Sequence, residues 1–438
     1  MKKFIVIALA LFLVLPALSY AGSMTSRWDV TFGGYVKFDV GWMSQGQGID
    51  YRAAGRESIS LSKSQVDEYA VTNWYSGETR FNFAIKGPAA WNGAKTSAFI
   101  EGDFRGVAGS RATATGLFTL RHAFMDFKWA NTTLLLGHTW QPWGLIPSFN
   151  MLAFSENHFM KGATRVPQVR VTQKLNKEFS AQLAIASPNQ VLWGNNGGNY
   201  IDDKNRALMP DTSLDIKYAT DKCGKIGPWM LTFGLGGMWG KEKVTWQENA
   251  VWTLPGSKNI DRWGASFYGY IPIIPEKKGN KTNALGFTWN AFSGQGVGAM
   301  LPAYPGTPYN RGADAVYTGL GLTNTGVNND PMYATTSGAW AQLTYYYTDS
   351  VSSNVLWGYQ SNNLSQQYEL ANPAATRNLQ NFVINIMYNV NPAVRFGLEY
   401  TRITTSYGYW IAPARATGAG SQPKGSLDAI RFGAFYFF

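Results

Sequence analysis

The even positions from Trp28 to Trp42 read Trp28, Val30, Phe32, Gly34, Val36, Phe38, Val40 and Trp42, while Asp29, Thr31, Tyr35, Lys37 and Asp39 fill the odd ones. Successive side chains of a strand point to opposite sides, so this alternation predicts a strand with one apolar and one polar face. Its length exceeds the five or six residues usual in soluble strands and suits a tilted membrane strand of about 9–11 residues plus its ends. The far end repeats the pattern, with Ile430, Phe432, Ala434, Tyr436 and Phe438 on one parity and Arg431, Gly433, Phe435 and Phe437 on the other. Fourteen further strands are predicted near 78–86, 96–105, 117–128, 133–140, 166–174, 179–186, 210–218, 229–239, 262–273, 284–293, 339–347, 351–359, 382–389 and 393–402.

Sixteen is even, as a closed membrane barrel with both termini on one side requires. The connections alternate long and short, which puts long loops outside the cell and turns such as NVNP, TDSV and WANT in the periplasm. The predicted fold is therefore an all-β, transmembrane, antiparallel up-and-down barrel. Charge placement tests it, because Lys or Arg on the lipid face costs about 2–4 kcal/mol at mid-bilayer. Glu78, Arg80, Lys86, Glu101, Asp103, Arg105, Arg170, Asp211, Asp215, Lys217, Arg395 and Glu399 all keep the polar parity. Arg121, Asp261, Arg402 and Asp428 do not; all four fall nearer the predicted extracellular ends, and Arg121 lies well inside its strand, where a β-bulge would repair the parity.

Composition narrows the class. The chain of 438 residues starts MKK, then runs apolar from Phe4 to Leu15 and reaches Ser19-Tyr20-Ala21, the pattern of a secretory signal peptide cleaved after residue 21. Residues 22–438 then form a single barrel domain. No later segment offers the roughly 20 consecutive apolar residues of a membrane helix. Aromatic residues make up 15% of the chain and charged residues 15%, which fits a sheet whose two faces average out. Losing Lys2 and Lys3 with the signal lowers the formal charge from +11 to +9, a mild excess that favours anions or lipid phosphates over nucleic acid. The single Cys223 forms no internal disulfide. Gly-rich strings at 234–240 and 292–300 lack the Lys-Ser/Thr ending of a phosphate loop, and three scattered His make no metal site.

Several strings resemble the trimeric porins of the phosphate-selective and DcaP-like kind: GGYVKFDV (33–40), RFNFAIKGP (80–88), AFIEGDFRG (98–106), LRHAFMDF (120–127), LLLGHTWQPWG (134–144), RVPQVRVTQ (165–173), PDTSLDIKY (210–218) and VSSNVLWGY (351–359). The resemblance is spread over nearly the whole mature chain and implies a sixteen-stranded trimeric barrel in the outer membrane of a Gram-negative bacterium. It also implies that the loop after the fifth strand, 141–165, folds inward to narrow the pore.

The function expected is passive diffusion of small polar solutes through a water-filled channel, with a mild anion preference and no cofactor or catalysis. Inward-facing residues would carry it. Arg80, Glu101, Asp103 and Arg170 on the wall, and Glu156, Lys161 and Arg165 in or beside the loop, are the candidate constriction residues. Phe438, closing a strand with Tyr436 and Phe432, resembles the signal read by the barrel-assembly machinery. Tryptophans 129, 140, 143, 229 and 263 near strand ends are expected in the interfacial girdles. Two other functions stay open: a non-conducting adhesin or sheath around a partner protein, and an outer-membrane hydrolase, for which no Ser/His arrangement stands out.

Overall fold

The computed structural model describes residues 28–44, 49–50, 56–57, 70–106, 117–144, 146–152, 165–187, 206–246, 256–297, 316–318, 331–333, 335–363, 376–407 and 424–438. The proposed signal segment, Glu156 and Lys161 lie outside the described residues.

Sixteen antiparallel strands close on themselves. They are β1 (Asp29–Met43), β2 (Val71–Tyr75 and Arg80–Lys86), β3 (Lys95–Gly106), β4 (Leu117–Lys128), β5 (Thr132–Trp140), β6 (Arg165–Lys174), β7 (Phe179–Ala186) and β8 (Arg206–Ala207 and Asp211–Ile226). The second half comprises β9 (Trp229–Trp246), β10 (Gly256–Ile274), β11 (Leu285–Gln295), β12 (Thr335–Tyr346), β13 (Val351–Asn363), β14 (Thr376–Asn389), β15 (Val394–Tyr407) and β16 (Lys424–Phe437). Each strand pairs with its predecessor, and β16 pairs back onto β1 with Tyr35 opposite Phe437 and Met43 opposite Ala429. Closure follows from the solvent: an open edge in hydrocarbon would strand backbone polar groups at several kcal/mol each. Among the described residues no helix is long and apolar enough to cross a membrane.

Parity sorts the side chains as the alternation predicts. Phe38, Trp42, Ile100, Leu183, Leu235, Ile384, Leu398 and Ile430 are exposed on the outer face, while Lys37, Asp39, Asp103, Arg262, Glu399 and Arg431 are buried within. Several strands run past their predicted limits at the end carrying the long connections: β9 to Trp246, β10 from Gly256, β15 to Tyr407 and β16 from Lys424. The outer row there includes Arg402, Thr404, Ser406, Ser426 and Asp428. A sheet that has left the hydrocarbon no longer needs an apolar outer face, so these extensions lack the alternation that marks the membrane part.

The four charges on the wrong parity resolve in two ways. Glu101 faces His122 and Gly102 faces Leu120, so Arg121 is an extra residue in β4, a β-bulge. The bulge turns Arg121 inward, where its Nε donates to Asp103 Oδ2 at 2.7 Å. The other three stay outside and pair there: Lys241 with Asp261 at 3.5 Å, and Arg402 with Asp428 at 3.4 Å. The bulge makes a prediction. Deleting Arg121 joins outward Leu120 to inward His122 and preserves the alternation, so the barrel should assemble. Deleting Leu120 instead moves Arg121 into the outward slot, at a cost of up to about 2–4 kcal/mol if that slot lies at mid-bilayer. Urea unfolding of the two deletion variants in lipid should separate them in that order.

Candidate functional site

The chain leaves β5 by turning into the barrel. Gln168 Nε2 donates to the carbonyls of Thr139 and Trp140 at 2.8 and 3.0 Å, and Arg170 Nη1 donates to that of Trp140 at 3.2 Å. From there the described part of the loop follows the inner wall strand by strand. Gln141 Nε2 donates to Ser213 Oγ on β8 at 2.7 Å, and the buried Trp143 ring fills the space above Gly264 of β10. Asn290 Nδ2 on β11 donates to the Gly144 carbonyl at 2.8 Å. Gln342 on β12 clamps Phe149, accepting from its N–H at 2.9 Å and donating to its carbonyl at 2.7 Å. Asn354 on β13 and Asn385 on β14 both donate to the Asn150 carbonyl. Leu152 ends the described run between Glu399 of β15 and Lys37 of β1.

An apolar patch lies beneath the loop. Ile146 and Met151 pack with Tyr268, Tyr270, Trp340, Leu356 and Val383 from β10 and β12–β14. Such inward apolar residues would be out of place on a wet wall, and the loop covers them. At about 25 cal/mol per Å² of apolar surface removed from water, this burial helps hold the loop down.

The wall that this run does not touch carries charge. Arg80 Nη1 reaches Glu101 Oε1 and its Nη2 reaches Asp103 Oδ2, each at 3.1 Å, across neighbouring positions of β2 and β3. Asp103 also binds Arg121, so one buried carboxylate serves two guanidiniums. His122 Nε2 is 3.9 Å from Glu101 Oε1, and Arg165 Nε donates to the same imidazole nitrogen at 3.3 Å. The Arg165 guanidinium lies 3.8 Å from the centroid of the Trp140 ring. Arg165 begins β6 on the outward parity, and only its place at the strand end lets it reach an inward residue. Neither Arg165 nor Arg170 has a carboxylate partner among the described residues.

Arg80, Glu101, Asp103 and Arg165 thus form one connected cluster, and Arg170 approaches it through Trp140. Phe432, Tyr436 and Phe438 form an exposed outward row, and Phe438 exchanges backbone hydrogen bonds with Gly34 at 3.0 and 3.1 Å. Two of the expected girdle tryptophans face inward instead: Trp143 is part of the loop with its ring buried against Gly264, and Trp229 packs on Phe149 and Tyr270. Trp263 is exposed on the outside as expected. The sequence reading missed Arg121, Gln342, Asn354 and Asn385 as site residues. A signal was present, because WGLIPSFNMLAF (143–154) is unusually apolar for a loop, and glycines at 236, 264, 397 and 433 open the facing wall. Among the described residues no group of His, Cys, Asp and Glu could hold a metal ion.

No family model and no curated protein matches the chain. Solved structures do. The outer membrane channel DcaP of Acinetobacter baumannii is similar over 94% of this chain and 99% of its own, with a TM-score of 0.67 at 16% identity. An anion-selective porin from Comamonas acidovorans covers 94% of this chain and 100% of its own, with a TM-score of 0.53 at 11% identity. The outer-membrane protein OmpT of Vibrio cholerae gives 0.50 at 12% identity, covering 94% of this chain and 99% of its own. An outward apolar belt, a charged inner wall and an inward loop are therefore arranged on a closed sixteen-stranded barrel with the fold of the DcaP channel.

Proposed function

We propose that this protein is an outer-membrane porin that lets small polar solutes diffuse passively, with a mild preference for anions. The observation that carries the reading is the asymmetry among the described residues: the described loop follows the wall from β8 round to β1, and the arginine cluster lies on the strands that this part does not touch. Arg80, Arg121, Arg165 and Arg170 stand against Glu101 and Asp103, an excess of two positive charges. The mixed signs set up a transverse field that orients dipolar solutes, and the excess favours anions. Arg165 and Arg170 are the guanidiniums proposed to grip a carboxylate or phosphate, since among the described residues neither forms an ion pair with an acid. Glu156 and Lys161 complete the proposed constriction from the far part of the loop.

In this reading residues 1–21 are a cleaved export signal and 22–438 the mature barrel. Short turns face the periplasm, long loops face outward, and lipid contacts the outer row. The Phe432, Tyr436 and Phe438 row serves the assembly machinery. The barrel is proposed to assemble as a homotrimer, and a solved form of the Vibrio cholerae OmpT is a trimer.

One observation favours a hydrolase: the His122 Nδ1 and Thr139 hydroxyl are 2.9 Å apart, with Glu101 on the far side of the ring. Its weakness is charge. Arg165 touches the other ring nitrogen, and Arg80 and Arg121 stand behind Glu101, so the imidazolium that a general base must become is opposed. Thr139 is also buried. Planar-bilayer recording decides between the readings: the porin gives discrete current steps whose reversal potential in a salt gradient leans to the anion side. A barrel that inserts without conducting would favour the sheath or adhesin.

A further inference from the structure

Both peptide groups of Leu152 end on buried charged side chains. Its N–H donates to Glu399 Oε2 at 2.8 Å, and its carbonyl accepts from Lys37 Nζ at 2.7 Å. Upstream, Asp215 takes the Gly144 N–H and neutral amides hold the run from there to Asn150; at Leu152 ions hold both peptide groups, and such hydrogen bonds are roughly twice as strong as neutral ones. The two grips lie on opposite sides of Leu152 within one network of buried charges, since Lys37 interacts electrostatically with Glu399 and Arg431. Glu399 also takes Asn385 Nδ2 at 3.0 Å and Arg431 Nη1 at 3.3 Å on β14 and β16. Lys37 binds Asp39 at 2.8 Å and also Glu78, on β1 and between the halves of β2. Leu152 therefore bridges the seam where the first and last strands meet.

Its side chain is fully buried in a notch made by two glycines. A Cβ added at Gly397 would come within 2.7 Å of Leu152 Cδ2, and one at Gly433 within 2.8 Å. A larger residue at either position would force the leucine side chain or its neighbours to shift. A peg, a notch of matching size and an ionic grip on each side of the peg meet at one point of the wall.

We infer that Leu152 is the latch that fixes how far the inward loop reaches across the lumen, and that Lys37, Glu399, Gly397 and Gly433 are its positioning residues. The consequence for the aperture rests on the channel reading above, whereas the anchoring itself does not. Released, the loop would keep its amide contacts as far as Asn150 but lose its fixed end, and the channel its single steady opening.

The test uses the full-length protein with Leu152→Ala, Glu399→Gln and Gly433→Ala, the last of which crowds the notch without removing a charge. Heat-modifiable gel mobility first confirms a closed barrel in each. Hydrogen exchange of the segment 146–152 should be slow in the native protein and lose that protection in the variants, while the strands stay protected. In bilayers the variants should lose the steady current level and flicker among substates. Native-like protection in both Leu152→Ala and Gly433→Ala would overturn the latch, whatever the current does. A silent native protein whose loop is protected, and unprotected in the variants, would sink the channel reading and support the latch.

Discussion

Replacing Arg80 and Arg170 together with alanine is expected to shift the reversal potential toward cations, by the equivalent of a roughly tenfold fall in anion-over-cation permeability. Arg80 is tied to Glu101 and Asp103, so its loss uncovers Glu101 and leaves Asp103 with Arg121 and the Arg105 N–H. Arg170 donates to the Trp140 carbonyl. Together they cancel the cluster's excess of two positive charges. Each unit charge attracts a passing anion by about 1 kcal/mol at 4 Å even at the dielectric constant of water, and about 1.4 kcal/mol is a factor of ten. The Debye length is about 10 Å at 0.1 M salt, so the shift should shrink as salt rises. An unchanged reversal potential would remove these residues from the filter while leaving the barrel standing.

Leu183→Arg is expected to destabilise the barrel in lipid by about 2–4 kcal/mol if that position sits at mid-bilayer, and Gln182→Arg hardly at all. The two residues adjoin in β7 but face opposite media. Leu183 is 49% exposed on the outside, opposite Leu214 and Val171. Gln182 lies opposite Asp215 and Thr172 on the inner face, where an added arginine meets water and a carboxylate. Urea unfolding in lipid bilayers measures the difference. Equal losses would mean that the two faces of this strand meet the same medium.

The lipid-facing part of the fold was legible because hydrocarbon imposes a period of two on every strand it touches. Predicted 117–128 and 179–186 coincide with Leu117–Lys128 and Phe179–Ala186. Where the sheet rises past the hydrocarbon that demand lapses, and residues 240–246 or 403–407 gave no alternation to read. Arg121 was marked as an anomaly that a bulge would repair, but a bulge depends on the partner strand and not on its own sequence, so only the register with β3 shows it. The site was only half visible. Arg80 and Asp103 show themselves as charges on the inward parity. Gln342, Asn354 and Asn385 look like ordinary lumen amides until the loop is seen lying on them.

The central claim is that the wall bearing Arg170 borders the water through which ions pass. It is tested by placing a cysteine there, Arg170→Cys, in a chain whose exposed Cys223 is replaced by serine. A charged, water-soluble thiol reagent is then added during single-channel recording. The account predicts a stepwise fall in current as each pore is modified, and none for Val171→Cys on the lipid face. A current untouched by modification at 170, or blocked equally from 171, would contradict it.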